Sequence, residues 1–141
     1  MAKSRVLVAV SSPWASEKLV GPISDLAQRL DAEVIVAHVA HPRVEDESES
    51  DTRQRGEQTL SVLTDALRAK GIEAEGLMLY SDDIARALLK SAHARAFTLI
   101  VLGFTGRGRL QRLFGGDVPA NLMRQSDLPV LMYPGGWSGT V

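Results

Sequence analysis

Five short apolar runs alternate with helical stretches along this chain of 141 residues. The runs cover residues 6–10, 34–39, 74–80, 99–102 and 130–133, and the third is the weakest because Glu75 and Gly76 interrupt it. Continuous apolar runs indicate strands that are buried on both faces, as in a parallel sheet covered by helices. The order βαβαβαβαβ therefore predicts an α/β fold with one doubly wound parallel sheet and helices on both faces.

Four helical stretches separate these runs. The first, over 16–30, contains Gly21-Pro22, which predicts either a kink or a late start with Pro22 in the first turn. The second is expected over about 52–70, where Gly71 ends it. The third begins at Asp82 or Asp83, and the fourth extends from about 117 to 125. Apolar residues share one face in the first three: Leu19, Ile23, Leu26, Ala27 and Leu30; Leu60, Leu63 and Leu67; Ile84, Ala87, Leu88 and Ser91.

Length and charge narrow the class of protein. The length fits one domain, and 16 basic against 17 acidic side chains give no electrostatic reason to expect nucleic acid or an anionic membrane as partner. The absence of cysteine excludes disulfides and thiolate chemistry. The first apolar run is too short for a signal peptide or a membrane span. We expect a cytoplasmic domain over 1–134, with a mobile acidic loop at 41–51, and a flexible tail over 135–141.

The segment after the fourth run is the strongest candidate for a binding site. Five of the 12 glycines fall between residues 103 and 116, together with Arg107, Arg109 and Arg112, and the segment has no acidic residue. Glycine-rich connections between a strand and a helix bring backbone N–H groups to an anion, and guanidinium groups suit phosphate. The spacing matches neither a P-loop nor a dinucleotide fingerprint. The pattern favours a phosphate site at the carboxyl end of the fourth strand.

The glycine spacing Gly103-x2-Gly106-x9-Gly116, between an apolar strand and a short helix, resembles the universal stress protein family. The runs Arg5–Val10, Val34–Val39, Leu99–Arg107 and Ser126–Leu131 also resemble strands of that family in the same order. The resemblance covers nearly the whole chain except the acidic loop and the tail.

The resemblance implies the strand order 3-2-1-4-5, an adenine-nucleotide hydrolase-like architecture, and a homodimer joined through the last strand, Val130–Tyr133. It implies a small cytoplasmic stress-response regulator that binds ATP or AMP, with or without Mg²⁺, and acts on an unidentified regulatory protein. The nucleotide-contacting positions that it implies, including the adjoining loop arginines, are Ala9, Ser11, Val39, Leu102, Gly103, Gly106, Arg107, Arg109, Gly116 and Asp117.

Two of these positions depart from the family's pattern. Ser11 stands where an acidic residue follows the first strand, and Asp117 stands where a Ser or Thr hydroxyl meets phosphate. Asp117 suits a helix cap, but a carboxylate about 4 Å from phosphate costs about 1 kcal/mol in water and about 4 at a dielectric of 20. A bridging Mg²⁺ would turn this repulsion into coordination at Asp117. Nucleotide affinity is therefore expected to be weaker or altered.

No catalytic constellation stands out in the sequence. His38 reads as a sheet histidine, three residues before His41, and His93 reads as facing solvent. We therefore expect no catalytic residues and no metal ligands apart from Asp117 through Mg²⁺, with at most slow, incidental ATP hydrolysis. The alternative function is a protein-interaction module of the same fold that does not need nucleotide. A third hypothesis is a nucleotide-processing enzyme. A receiver domain has the same architecture, but this sequence lacks the acidic cluster that a receiver domain needs after its first strand.

Overall fold

The computed structural model describes residues 3–40, 48–103, 118–134, 137 and 141, and these residues build one five-stranded sheet. Every neighbouring pair of strands is parallel, and the order is β3-β2-β1-β4-β5, as expected. β3 and β5 are therefore the edge strands. The strands are β1 (Arg5–Ala9), β2 (Glu33–Ala40), β3 (Ala74–Tyr80), β4 (Leu99–Gly103) and β5 (Val130–Tyr133).

The described part of the chain has four helices between its strands: α1 (Pro13–Leu30), α2 (Glu49–Ala69), α3 (Ile84–Ala94) and α4 (Val118–Gln125). The late start expected for the first helix is wrong, because Pro22 lies inside α1. Ser12 caps this helix, since its hydroxyl accepts a hydrogen bond from the Ala15 amide at 3.1 Å, and Pro13 follows in the first turn. A capping serine followed by proline is a strong start signal, and it sets the helix boundary here.

The acidic loop is shorter than the expected 41–51. Ser48 caps α2 by accepting a hydrogen bond from the Asp51 amide at 3.0 Å, so Glu49 and Asp51 lie in the first helical turn. Carboxylates are favourable there because they face the positive end of the helix dipole. Residues 41–47, including His41, lie outside the described residues.

The sheet carries a separate apolar layer on each face. α1 and α2 cover the first face, where Val8, Ile23, Val36, Leu63 and Leu67 are among the most buried side chains. α3 and α4 cover the second face, where Leu7, Ile35, Leu88, Ile100 and Leu122 are buried. Leu30 was expected on the buried face of α1, but it is 41% exposed, because it lies in the last turn of the helix. None of the helices described here is long and apolar enough to cross a membrane.

Candidate functional site

The helices that follow β1 and β4 lie on opposite faces of the sheet. β1 leads to α1 in the first layer, whereas the chain after β4 returns through α4 in the second layer. The two strands are neighbours in the sheet, so the strand order reverses between them. In open α/β sheets, the carboxyl edge at such a reversal is the usual position of a ligand crevice.

Three of the residues implied by the family resemblance meet at this edge. Ala9 is in register with Leu102 of β4 on one side and with Ala37 of β2 on the other. Val39 follows Ala37 by two residues, so its side chain points to the same face of the sheet. Ala9, Val39 and Leu102 all belong to the α3/α4 layer, in which Val39 and Leu102 are each 7% exposed. They form an apolar surface just beneath the carboxyl edge.

Hydrogen bonds to β2 hold the chain segment that follows β1. The Val10 amide donates to the Ala37 carbonyl at 2.9 Å, and Nδ1 of His38 lies 2.9 Å from the Val10 carbonyl. Because a carbonyl can only accept, His38 donates through Nδ1 in this contact. Ser11 follows directly and is half-buried at the start of the turn. The contact gives His38 a structural role in fixing the segment that carries Ser11.

Gly103, the last residue of β4, has a packing reason to lack a side chain. A Cβ atom at this position would lie 2.8 Å and 2.9 Å from the two methyl groups of Leu19, a residue of α1 that is 5% exposed. Real Cβ contacts are not that short, so any side chain at this position would force the buried Leu19 side chain to shift. The spacing of the glycines in the sequence gave no indication of this contact.

The structure describes half of the implied nucleotide set, namely Ala9, Ser11, Val39, Leu102 and Gly103. The other half lies within residues 104–117, outside the described residues: Gly106, Arg107, Arg109, Gly116 and Asp117. Within the described ranges, no group of three or more His, Asp or Glu side chains is placed to hold a metal ion. The described part of the site therefore offers apolar contact, the Ser11 hydroxyl and backbone groups.

Comparisons with known proteins agree with this architecture. The model of the universal stress protein family matches residues 3–134. A curated relative, the sensor protein KdpD of Mycobacterium tuberculosis, is 29% identical over an alignment of 150 positions, gaps included. This alignment covers 97% of this chain and 16% of the relative. The chain thus spans about a sixth of that sensor protein's length.

Two solved structures show the same fold. The universal stress protein from Archaeoglobus fulgidus in complex with dAMP is 21% identical, with a TM-score of 0.68 over 94% of this chain and 98% of that one. A universal stress protein in complex with cAMP is 24% identical, with a TM-score of 0.67 over 96% and 100% of the two chains.

Proposed function

The chain belongs to the universal stress protein family, and on that premise we propose that it binds an adenine nucleotide at the carboxyl edge of the sheet between β1 and β4. The observation that carries the proposal is the convergence of Ala9, Val39 and Leu102 on one face at the reversal of strand order. Apolar side chains at such an edge suit a purine ring, which is flat and largely apolar on its faces. The relatives solved with dAMP and cAMP support an adenine ligand.

The phosphates would lie against the glycine- and arginine-rich segment over 103–117. Gly103, Gly106 and Gly116 have no side chain that would keep a phosphate from the backbone N–H groups, and Arg107 and Arg109 would supply guanidinium donors for phosphate. Asp117 opposes an anion in this segment, so affinity for ATP falls unless Mg²⁺ bridges the two. AMP carries less charge than ATP and meets less of this repulsion. Among adenine nucleotides we therefore expect AMP to bind better than ATP in the absence of Mg²⁺.

The first experiment asks whether nucleotide is bound at all. Native mass spectrometry of the gently purified protein detects retained AMP, ADP or ATP, and calorimetric titration with AMP and with Mg-ATP measures affinity. Retained adenine nucleotide, or a saturable heat of binding, supports the proposal. No retained nucleotide and no heat at millimolar concentration contradict it, and favour the nucleotide-independent interaction module that Ser11 and Asp117 suggest.

Two substitutions test the phosphate part of the site. Asp117→Ser removes the repulsion and should tighten ATP binding, whereas Asp65→Ser, on an exposed position of α2, should leave it unchanged. Arg107→Ala should weaken binding and reduce its salt dependence, whereas the exposed Arg53→Ala should not. If Asp117→Ser leaves ATP affinity the same or lower, the repulsion argument is wrong. If Arg107→Ala binds as the parent does at every ionic strength, Arg107 does not meet phosphate.

We further propose that the protein acts as a homodimeric regulator of the stress response, joined through β5. Ile100 of β4 donates to the Pro129 carbonyl at 3.0 Å, and alternation along a strand then directs the backbone groups of Val130 and Met132 outward. The Met132 side chain is 39% exposed at this edge. Sedimentation should show a dimer that Met132→Lys dissociates, while Lys18→Glu on α1 leaves it intact. A monomer at all concentrations would contradict the homodimer.

A further inference from the structure

A groove of ≈ 570 Å³ lies between the edge strand β3 and one flank of α3. Its floor includes Leu79, which is half-buried, and its wall includes Ala87 and Ser91 of α3. The groove exists because α3 packs more closely against the neighbouring strand β2 than against β3. Its volume falls in the range of ligand sites, but its lining extends along α3 as far as Ala94, which suits a segment of polypeptide.

The free edge of β3 lies beside this groove, which Leu79 and Tyr80 at the end of the strand help to line. At the two ends of the β2–β3 ladder, Val34 donates to the Glu73 carbonyl at 2.9 Å and Ser81 donates to the Ala40 carbonyl at 3.2 Å. Alternation along the strand then assigns the odd-numbered residues to β2 and directs the N–H and C=O groups of Gly76, Met78 and Tyr80 outward. Within the described part of the chain, β3 pairs with β2 alone.

The beginning of this edge is already covered. The Ala74 carbonyl, which belongs to the same outward set, accepts a hydrogen bond from Nε of Arg68 at 2.8 Å. Gly76, Met78 and Tyr80 receive no such cover from the described residues. These three residues span about 13 Å, which is the length of a five-residue extended segment. The open stretch is therefore long enough to add a short strand.

The wall formed by α3 has small side chains near the sheet and cations above them. Ala87 and Ser91 are one helical turn apart and half-buried, and Arg86 and Lys90 precede each of them by one position and are exposed. A helix rises about 6 Å over four residues. An extended strand advances about 6.6 Å over two residues, so acidic side chains at i and i+2 of an added strand match the spacing of Arg86 and Lys90.

We propose that this groove binds an extended acidic segment of a partner protein by strand addition to β3. Two acidic side chains of the segment face Arg86 and Lys90, and an apolar side chain beyond them rests on the small residues of α3. Asp82 lies at the end of the groove and disfavours acid there. Asp83 is engaged as the cap of α3, where its carboxylate accepts a hydrogen bond from the Arg86 amide at 3.1 Å.

The charge part of the proposal is tested by fluorescence anisotropy with a designed probe. The probe is the fluorescein-labelled peptide Thr-Glu-Thr-Glu-Thr-Val-Thr, which places both Glu and the Val on one face of a strand. Combining Arg86→Glu with Lys90→Glu should weaken binding about tenfold, because two attractions become repulsions. Lys18→Glu makes the same kind of charge change on α1, across the sheet, and should change affinity less than about twofold.

The backbone part is tested with N-methylated versions of the same probe. Methyl groups on one alternate set of amides should abolish binding, and methyl groups on the other set should not, because one edge of an added strand faces β3. Amide NMR signals of Gly76, Met78 and Tyr80 should shift on titration. The proposal is overturned if the probe does not bind at millimolar concentration, if both methylated sets bind equally, or if Lys replaces Glu in the probe without loss.

A second copy of the chain is the competing occupant of this edge. Sedimentation of the free protein distinguishes it, since the double variant Arg86→Glu with Lys90→Glu would then change the oligomeric state without any peptide present. That result would overturn the proposal of an acidic partner and would show that a second copy of the chain occupies this edge. An unchanged oligomeric state together with weaker probe binding supports the acidic partner.

Discussion

The two faces of the sheet are covered to different extents. α1 and α2 have 18 and 21 residues, whereas α3 and α4 have 11 and 8. The long α2 packs over both β2 and β3, and a Cβ at its Gly56 would lie only 2.5 Å from the end of Met78. On the other face, Leu77 and Leu79 of β3 remain half-buried beside the groove.

This difference predicts that the α1/α2 layer mainly determines stability, whereas the α3/α4 layer leaves room for binding. The α1/α2 layer is filled, and a buried hydroxyl joins its two helices: Ser16 donates to the Thr59 carbonyl at 2.6 Å and thereby links α1 to α2. The α3/α4 layer leaves the groove beside β3 accessible. Substitutions in the first layer should therefore alter the free energy of unfolding, whereas suitable substitutions at the groove should alter binding alone.

The largest contrast should come from changing side-chain volume in the two layers. Leu63 in α2 is fully buried, so Leu63→Ala should lower the free energy of unfolding by about 3 kcal/mol through lost burial and a cavity. Ala87→Leu adds volume where the groove has room and should change the free energy of unfolding by less than about 0.5 kcal/mol. Urea denaturation measures both. Equal destabilisation by the two variants would show that the groove flank is as tightly packed as the α1/α2 layer.

A pair of glycines in the α1/α2 layer gives the next largest contrast. Gly56→Ala brings a Cβ to 2.5 Å and 2.9 Å from Cε and Sδ of Met78, which should destabilise by about 1 kcal/mol after the gain in helix propensity. Gly21→Ala in α1 adds a Cβ that meets nothing within 4 Å outside its chain neighbours, but the strain of an alanine before Pro22 in a helix offsets the gain in propensity, so stability should change by less than about 0.5 kcal/mol. Gly56→Ala should therefore lower the midpoint of thermal unfolding more than Gly21→Ala does. Equal midpoints for the two variants would mean that Met78 moves aside without cost.

Much of the fold follows from local sequence signals. The bounds of β3 and β5 and the Asp83 cap of α3 agree with the sequence prediction. Apolar runs determine buried strands because burial on both faces leaves no room for polar alternation. The start of α1 was less predictable, because Pro22 reads as a break but is accommodated inside an 18-residue helix. Packing of the surrounding apolar face outweighs one lost hydrogen bond there.

The candidate site was predictable only in part. Ala9, Val39 and Leu102 were inferred from a family resemblance, and their shared face depends on strand register, which no local pattern specifies. The glycine spacing suggested a ligand role for Gly103. Its contact with Leu19 joins residues that are 84 positions apart in the sequence, and such a contact depends on the tertiary fold and not on any local pattern. The groove beside β3 was not predicted at all, because it results from the different reach of α2 and α3 over the same edge strand.

Two buried hydroxyl groups in the first layer should respond differently to removal. Ser16→Ala removes the hydroxyl that donates to the Thr59 carbonyl from α1 and should cost about 1 kcal/mol. The Tyr133 hydroxyl is buried without a hydrogen-bond partner among the described residues, so Tyr133→Phe should be neutral or slightly stabilising. Urea denaturation at neutral pH checks both changes. A cost for Tyr133→Phe equal to that for Ser16→Ala would show that the phenol has a partner.

The raised pKa of Tyr133 predicts how the free energy of unfolding changes at alkaline pH. Burial raises the pKa of this phenol above its ordinary value of 10.0, and the negative charge of Asp25 adds to the increase. The contribution of the neutral phenol to stability is complete below pH 10 and is lost as the pH rises through the raised pKa. Tyr133→Phe should remove this loss above pH 10. An unchanged alkaline profile in the variant would assign the loss to other groups.

The smallest expected effect concerns the one imidazole–carboxylate contact described between α3 and the turn before β5. His93 Nε2 lies 2.8 Å from Asp127 Oδ1, and both side chains are more than half exposed. The hydrogen bond from His93 is the main cause that lowers the pKa of Asp127 below 3.8, followed by a backbone hydrogen bond and the charge of His93. A lowered carboxyl pKa contributes stability above about pH 4 that is lost as the pH falls through the lowered value.

NMR titration of the Asp127 carboxyl should therefore give a pKa below 3.8, and His93→Gln should raise it toward 3.8. Lys90→Gln, one turn earlier on α3, is the matched control and should leave the Asp127 value within about 0.2 of the parent, because a cation without direct contact is screened by solvent. If His93→Gln leaves the value equally low, the backbone hydrogen bond at Asp127 is its main cause. The exposed contact would then add nothing to the α3/α4 layer.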